Sequence, residues 1–328
     1  LQHGTGTYTL PNGYEYTGQW VEGEIRGDGV ARFPNGSVYE GQFARGKPEG
    51  VGQIVFADGG TYEGEWSDGK ITGQGVAVYA NGVRYEGGFR NAMHHGKGRM
   101  ESPGGYIYEG DWVNGVKEGM ATITYPDGAV YEGEVLRGTR HGQGKLTMPD
   151  GLIYEGRWTE GQIDGEGTLT QPNGDVYEGQ LVSGRREGQG KVTYDNGDIY
   201  EGQFQDDRRH GTGVFTGTDG YRYEGDWNAG KISGQGKVTY PDGSVYEGEF
   251  RDDLANGQGK ITYPDGSTYE GEWSGGVIDG QGKATYPNGV VYEGAFENAR
   301  NQGFGVMTYA DGYRYEGQWQ DGQRHGMG

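Results

Sequence analysis

Hydrophobic and polar residues alternate over short stretches of this chain, and the alternating stretches return at a constant spacing. A tyrosine followed by one variable residue and a glycine recurs every 23 residues, in 14 copies without an insertion or deletion. The tyrosines are Tyr16, Tyr39, Tyr62, Tyr85, Tyr108, Tyr131, Tyr154, Tyr177, Tyr200, Tyr223, Tyr246, Tyr269, Tyr292 and Tyr315. Strict alternation is typical of half-buried strands, and a fixed period is typical of repeat architectures. The sequence therefore predicts one β unit repeated along the chain.

The copy at residues 234–250 shows what the unit is. Pro-Asp-Gly at residues 241–243 predicts a turn, because proline presets the first φ, aspartate bonds nearby backbone and glycine accepts a positive φ. A three-residue loop between the two alternating runs makes a β-hairpin that pairs Val238 with Tyr246. Side chains alternate across a strand, so one face becomes apolar and is expected to be buried. That face carries Val238, Tyr240, Tyr246 and Phe250.

Glycines of neighbouring strands are predicted to lie opposite one another. In this register, the glycine two residues after each tyrosine faces the second glycine of a Gly-x-Gly segment. Two positions without side chains leave room for aromatic rings to lie on the backbone. Ala121 alone interrupts the Gly-x-Gly series. We expect its methyl group to be tolerated with slight local strain.

A second period appears four residues after the tyrosines, where tryptophan alternates with a smaller apolar residue. The tryptophans are Trp20, Trp66, Trp112, Trp158, Trp227, Trp273 and Trp319. Isoleucine follows five residues after the tryptophan in five of these seven copies and in none of the others. We therefore predict that a pair of hairpins, 46 residues long, is the true unit and that each tryptophan packs against its own isoleucine. The alternation slips between Leu181 and Phe204, which predicts looser packing or a changed twist at residues 177–227.

The pattern Tyr-Glu-Gly-x-Trp/Phe, followed by Gly-x-Gly and an Asp/Asn-Gly turn, resembles the MORN (membrane occupation and recognition nexus) repeat. The resemblance covers essentially the whole chain. It implies an all-β fold in which residues 1–328 form an elongated, twisted single antiparallel sheet of consecutive hairpins, with about 28 strands. It also implies scaffolding, self-association and, in some members, membrane apposition, with no shared catalytic activity.

Composition and charge limit the classes of function. The chain has no cysteine, which excludes disulfides and thiolate metal sites. A net charge of −20 opposes binding to nucleic acid, and no apolar run approaches the ~20 residues of a membrane span. The chain starts at Leu1 without a methionine, so we expect a fragment or a processed form. Nothing in the sequence predicts a compartment.

No residue pattern predicts catalysis. Glutamate follows the repeat tyrosine in 13 of 14 copies, and paired carboxylates can hydrolyse glycosides. A catalytic site breaks a repeat locally, however, and no copy is broken in that way. Histidines in neighbouring copies would lie at least ~9.5 Å apart, too far to share a metal ion. We therefore predict no enzyme activity, no cofactor, no metal site and no small-molecule substrate.

The aromatic face is the predicted protein-binding surface. A curled one-layer sheet leaves a groove, and tyrosine- and tryptophan-rich grooves suit protein contacts. The predicted contact residues are Trp20, Tyr39, Trp66, Trp112, Trp158, Trp227, Trp273 and Trp319. Exposed strand edges also invite pairing, so we expect protein partners that include a homodimer or a higher homo-oligomer.

Basic residues in the central copies predict a second candidate surface, a strip of loops along one edge of the sheet. The strip consists of Arg137, Arg140, Arg185, Arg186, Arg208 and Arg209. It would bind an acidic partner or anionic lipid, although the net charge disfavours a membrane. Two alternatives to a protein-binding scaffold therefore stay open. In the first alternative the chain is a peripheral membrane tether. In the second it is an accessory module of an enzyme outside this fragment.

Overall fold

All regular elements of the chain within residues 1–326, which the computed structural model describes, are β-strands. They belong to two compact units, Leu1–Ile163 and Asp164–Gly328. Within each unit, every strand pairs antiparallel with its neighbours in the chain. The predicted all-β array of consecutive hairpins is confirmed, with 29 strands among residues 1–326 where about 28 were expected.

The first unit contains the first 14 strands. They are β1 (Gly4–Thr9), β2 (Glu15–Val21), β3 (Glu24–Arg32), β4 (Val38–Ala44), β5 (Lys47–Val55), β6 (Thr61–Ser67), β7 (Lys70–Val78), β8 (Arg84–Arg90), β9 (Met93–Glu101), β10 (Ile107–Val113), β11 (Val116–Thr124), β12 (Val130–Leu136), β13 (Thr139–Thr147) and β14 (Ile153–Thr159).

The remaining strands follow, and the first of them begins two residues before the second unit. They are β15 (Gln162–Thr170), β16 (Val176–Val182), β17 (Arg185–Thr193), β18 (Ile199–Gln205), β19 (Arg208–Thr216), β20 (Arg222–Asn228), β21 (Lys231–Thr239), β22 (Val245–Arg251), β23 (Leu254–Thr262), β24 (Thr268–Ser274), β25 (Val277–Thr285), β26 (Val291–Glu297), β27 (Arg300–Thr308), β28 (Arg314–Gln320) and β29 (Gln323–His325).

The Pro-Asp-Gly turn closes the hairpin as predicted. Val238 lies opposite Tyr246 in the β21–β22 ladder. The Tyr240 N–H donates to the Ser244 carbonyl at 2.8 Å, and the Gly243 N–H donates back to the Tyr240 carbonyl at 2.9 Å. Gly243 has a φ of +87°, which an L side chain rarely adopts. The turn chemistry therefore fixes the register of the two strands.

A second turn, which the sequence analysis did not predict, joins each copy to the next. It has two residues with positive φ, such as Asn114 at +48° and Gly115 at +85°, the geometry of a type I′ hairpin turn. The Gly115 N–H donates to the carbonyl of His94 in the preceding hairpin at 2.8 Å. Thirteen of these turns are thus bonded to the copy before them. Four copies place a residue other than glycine second: Ala92, Asp207, Asp253 and Ala299.

Within residues 1–326, a β-bulge follows the repeat tyrosine in 12 copies and explains much of the repeat signature. In β22 the register against β23 shifts between Gly248 and Phe250, which leaves Glu249 outside the regular ladder. The Tyr246 hydroxyl donates to the Glu249 carbonyl at 2.9 Å. The Glu249 side chain accepts the Gln258 N–H at 3.2 Å. Two side chains therefore satisfy backbone groups that the bulge removes from the ladder.

The opposed glycines lie where the repeat pattern predicts them. Gly248 faces Gly259 across the β22–β23 ladder, and the ring of Tyr246 lies against Gly259. A methyl group on Gly259 would overlap the tyrosine hydroxyl and come within 2.6 Å of the ring. Ala121 is the exception, and it lies opposite Gly110. The tyrosine ring fits here because neither of the two opposed glycines has a side chain.

The repeat tyrosines form the core. Thirteen of the 14 are at most 3% exposed, and Tyr315 is half-buried. At the slip in the alternation, Leu181 and Phe204 are also buried, and the strand register continues unchanged. Burial therefore gives no sign of the looser packing that we expected at residues 177–227. A changed twist there stays a prediction.

Candidate functional site: the aromatic face

Aromatic rings of consecutive copies contact one another edge to face along the buried side of each unit. The Tyr39 ring centroid lies 5.1 Å from that of Phe43 in its own copy and 5.0 Å from that of Trp66 in the next. Such contacts connect the rings of residues 16–112 in the first unit and residues 177–319 in the second. Edge-to-face pairs contribute ~0.5–1.5 kcal/mol beyond their buried area. The face is therefore a packed core layer.

Each tryptophan is bonded to the neighbouring strand of its own hairpin. The Trp66 indole N–H donates to the Gly52 carbonyl at 3.1 Å, and the Trp158 indole N–H donates to the Gly144 carbonyl at 3.1 Å. The other five tryptophans bond a glycine 14 residues earlier in the same way. Phenylalanine has no N–H and cannot make this bond. The tryptophan copies therefore have one hydrogen bond that the phenylalanine copies lack.

Most of the predicted contact residues are covered. Tyr39 and six of the seven tryptophans are at most 9% exposed, and Trp20 is half-buried. A partner that approaches this face therefore meets the side chains that lie over these rings. Those side chains occupy one defined position in each copy, and they differ between copies.

This position lies five residues after the tryptophan, phenylalanine or aliphatic residue of each copy, and we call it the facing position. Ile25 lies directly opposite Trp20, and Ile71 lies opposite Trp66. The same pairing joins Trp227 to Ile232 and Trp273 to Ile278. The predicted partnership of tryptophan and isoleucine is confirmed in register for these four copies.

Cations occupy the facing position in five copies, and they lie over the rings. The residues are Lys117, Arg140, Arg186, Arg209 and Arg324. The Lys117 ammonium lies 4.5 Å from the Tyr106 ring centroid. The guanidinium carbons of Arg140 and Arg209 lie 4.3 Å and 4.2 Å from the rings of Trp158 and Trp227. These are cation–π distances, with the charged group held on the aromatic face.

The side chains of the predicted basic strip are divided between two surfaces, although all six arginines lie in a two-residue turn or within three residues after its first residue, at one end of their strands. Arg140, Arg186 and Arg209 lie on the aromatic face, because they pair with the inward-facing Val135, Leu181 and Phe204. Arg137 lies in a two-residue turn with a φ of +50°.

Arg185 and Arg208 are exposed on the opposite side, and Arg185 forms an ion pair with Asp206 at 3.0 Å. The arginines on the aromatic face lie five residues after the inward-facing apolar residue of their copy. This spacing distinguishes them in the sequence from Arg137, Arg185 and Arg208.

His94 also occupies a facing position, opposite Phe89. Its ring stacks on Tyr85 at 3.7 Å with an interplanar angle of 13°. The Tyr79 hydroxyl lies 2.7 Å from His94 Nε2. Burial, with a smaller contribution from the nearby Lys117 ammonium, lowers the pKa of His94 to about 4. The imidazole is therefore uncharged at neutral pH.

A more exposed row of aromatic residues lies beside each Pro-Asp-Gly-type turn, and we call it the outer aromatic row. Its members are Phe33, Phe56, Tyr79, Tyr125, Tyr194, Tyr240, Tyr263, Tyr286 and Tyr309. Phe56 is 37% exposed and Tyr79 is 41% exposed. In contrast to the buried tryptophans, these rings are available to a partner.

In the first unit, this row borders an open groove of about 550 Å³. Phe33 and Phe56 line one side of the groove, and Ile71 and the buried Trp66 contribute to its lining. Asn91, in a two-residue turn at the other end of the hairpins, also lines it. The groove therefore crosses the aromatic face and presents an apolar floor with polar groups at its rim. We call it the first-unit groove.

The opposite face is polar. Lys260 and Lys283 lie opposite Glu270 and Glu293, with nitrogen–oxygen distances of 3.8 Å and 3.9 Å. All four side chains are more than half exposed, and such pairs contribute little to stability. This face therefore holds solvated charges.

Two kinds of site are absent from residues 1–326. The side chains there include no group of three or more His, Cys, Asp or Glu residues able to hold a metal ion. The same residues form no helix that is long and apolar enough to cross a membrane.

Comparison with known families finds one matching family model, described as the MORN repeat. It matches residues 1–13, 16–38, 39–61, 62–84, 85–105, 108–130, 131–153, 154–176, 177–199, 200–220, 223–245, 246–268, 269–291, 292–312 and 315–328. These 15 segments tile almost the entire chain and follow the 23-residue period. No curated protein sequence matches the chain.

Three similar solved structures are distant in sequence and in fold. The SAS-4 TCP domain of Drosophila melanogaster in complex with a proline-rich motif of Ana2 is 14% identical, with 54% of this chain and 90% of that chain covered and a TM-score of 0.31. The TCP10 domain of Danio rerio CPAP in complex with a STIL peptide is 15% identical, with 96% and 99% covered and a TM-score of 0.25.

A third structure, virginiamycin B lyase from Staphylococcus aureus, is 13% identical, with 93% and 95% covered and a TM-score of 0.13. Likenesses at these TM-scores carry no argument about this chain.

Proposed function

This chain belongs to the MORN repeat family, and from that premise we propose that it is a non-catalytic scaffold whose first-unit groove receives a segment of a protein partner. The first-unit groove is the observation that supports the proposal. Its lining combines apolar side chains with a few polar groups at the rim, the composition of a recognition site. Phe56 and Ile71 are accessible there, whereas the tryptophans are covered.

The shape of the groove favours a peptide segment over a compact ligand. The groove is open along the sheet, and successive copies extend the same face at ~9.5 Å per copy. A segment of chain can follow such a face and insert side chains at intervals, as grooves lined by aromatic anchors allow.

A tether to anionic lipid has weaker support. Three of the six arginines of the predicted strip lie on the aromatic rings, and Arg185 is paired with Asp206. The outward positive charge is therefore smaller than the sequence predicted, against a net charge of −20. An accessory role beside an enzyme outside this chain stays a prediction, as does the homo-oligomer.

The proposal is tested with a phage-displayed library of random peptides selected on the full chain. Selected peptides should bind the Phe56→Ser variant about tenfold more weakly, because the exposed ring is an anchor. Tyr286→Ser is the matched control, since Tyr286 has the same place in its copy and lies in the second unit. It should leave binding unchanged.

A second variant, Ile71→Gln, places an amide in the groove and should also weaken binding. Thermal melts of all three variants establish that they fold. Failure to select any peptide, or selection of peptides that bind all variants equally, contradicts the proposal.

A further inference from the structure

Two cations lie on the aromatic face of the first unit without a counter-charge. Lys117 and Arg140 occupy consecutive facing positions, and both are half-buried. Within residues 1–326, no carboxylate lies within 4.0 Å of either. Arg186 in the second unit differs, because the Asp207 carboxylate lies 3.3 Å from its guanidinium. The first unit therefore holds two charges that the chain itself leaves unpaired.

Neither cation is fully used by its own contacts. The Lys117 ammonium donates to the Tyr106 hydroxyl at 3.1 Å. Arg140 donates from one terminal nitrogen to the Gly161 carbonyl at 3.0 Å. A guanidinium has five N–H donors and an ammonium has three, so both retain donors for an incoming carboxylate. Partial burial strengthens such charged hydrogen bonds relative to bulk water.

The desolvated environment of Lys117 also favours an anionic ligand. Burial lowers the pKa of Lys117 to about 8, and no carboxylate opposes that effect. An anion placed on this face would raise the pKa again, since an opposite charge favours the protonated amine. An acidic ligand and the cation would therefore stabilise each other.

These cations lie at defined distances from the first-unit groove. Ile71, Lys117 and Arg140 all occupy facing positions, two and three copies apart. At ~9.5 Å per copy, Lys117 is ~19 Å and Arg140 is ~28 Å from the groove. An extended chain advances ~3.3 Å per residue, so it covers these distances in about six and nine residues.

We infer that the occupant of the first-unit groove is an extended acidic segment of a protein partner, with an apolar residue beside Ile71 and carboxylates about six to nine residues away on Lys117 and Arg140. The inference rests on the proposed function and adds the chemical class of the partner. The chain as a whole is acidic, so the two cations also orient the segment toward a part of the first unit's aromatic face that attracts it.

The test uses the same peptide selection on the full chain and on a Lys117→Gln/Arg140→Gln double variant. Peptides selected on the unmodified chain should pair an apolar residue with two or more Asp or Glu residues about six to nine positions away. Their affinity should fall about tenfold or more for the double variant and should recover in Lys117→Arg/Arg140→Lys.

The matched control is Arg90→Gln/Arg137→Gln, which removes two positive charges from exposed positions of the first unit that lie off the aromatic face. It should leave the affinity within about twofold. Peptides that depend on Phe56 but lack acidic residues, or that lose as much affinity in this control, would overturn the inference and leave the proposed function intact. Absence of any Phe56-dependent peptide would overturn the proposed function itself.

Co-sedimentation with vesicles of phosphatidylcholine and phosphatidylserine is the remaining measurement. Co-sedimentation of the unmodified chain that disappears in Lys117→Gln/Arg140→Gln would identify a lipid surface as the occupant and would overturn the inference. No co-sedimentation supports the acidic segment.

Discussion

The Tyr246 hydroxyl donates a 2.9 Å hydrogen bond to the backbone carbonyl of Glu249, three residues further along the same strand. The bond crosses the β-bulge, and the tyrosine ring covers Gly259 on the neighbouring strand. Thirteen other copies have a tyrosine at this place. One side chain therefore fills the core and satisfies the bulge, which explains why tyrosine and not phenylalanine occupies it.

Replacement of this hydroxyl should destabilise the fold without changing its shape. Tyr246→Phe leaves the Glu249 carbonyl without its donor, which should lower the free energy of unfolding by about 1–2 kcal/mol. Urea denaturation followed by tryptophan fluorescence measures the change. Tyr313→Phe is the control, because that side chain is 54% exposed and its loss should cost nothing measurable. Equal stabilities of both variants and the unmodified chain would contradict this role of the hydroxyl.

A methyl group on an opposed glycine should be costly. In Gly259→Ala the new Cβ would overlap Tyr246, so ring or backbone must move, at about 1–3 kcal/mol. Gly104→Ala is the matched control, since no atom lies within 4 Å of its Cβ position and its φ is not in the left-handed region. Denaturation midpoints of the two variants measure the difference. If the two substitutions have the same effect, the tyrosine does not require the bare backbone.

The two-residue turns contain strain that glycine should relieve. Ala299 has a φ of +63°, where an alanine is disfavoured by about 1 kcal/mol, and its N–H bonds the Ile278 carbonyl. Ala299→Gly keeps that bond and should raise the free energy of unfolding by about 0.5–1 kcal/mol. The control Ala80→Gly, at an exposed turn residue without positive φ, should lower it by about 0.5 kcal/mol. Thermal melts distinguish the two signs.

Alkaline pH should unfold the chain through its tyrosine core. Burial raises the pKa of Tyr246 to about 12, and Tyr39, Tyr62 and Tyr269 shift likewise to about 12. A phenol whose pKa is higher in the folded state stabilises that state below its unfolded pKa of about 10. That stability is lost as pH rises from about 10 toward 12.

Absorbance at 295 nm, recorded with circular dichroism during a pH titration, tests this expectation. Most tyrosines should ionise together with loss of β structure. Ionisation of all tyrosines near pH 10 with the fold intact would contradict it.

The predicted homo-oligomer is tested by light scattering. One chain has a mass of 35.6 kDa, and a homodimer would have twice that mass at concentrations used for binding assays. A single-chain mass at every concentration would contradict the prediction without affecting the groove.

The turn at residues 241–243 could be predicted from sequence, because each of its three residues has a local conformational reason to be there. The β-bulge could not be predicted from the sequence. Glu249 resembles any exposed acidic residue, and its role depends on Gln258, which the register brings beside it. The copy-to-copy turns could have been predicted from copies such as Asn114-Gly115, a pair typical of two-residue hairpin turns, although Ala92 and Asp207 obscure the pattern in other copies.

The candidate site was located only in part. The aromatic residues were correctly placed on one face, but sequence alone did not show that the rings bury one another. Arg137 and Arg140 looked alike as basic loop residues. Arg137 lies in the turn itself and Arg140 lies three positions later in β13, so they belong to different surfaces. Counting from Val135 would have separated them.

The two-residue turns that bond the preceding hairpin also govern how the chain responds to force. The Gly115 N–H is held by the His94 carbonyl of the hairpin before the turn, and the Trp112 indole N–H bonds the Gly98 carbonyl across its own hairpin. Under tension in an optical trap, copies should therefore detach in succession. Each release would lengthen the tether by about 70 Å, the ~80 Å contour of 23 residues less the ~9.5 Å that a folded copy spans.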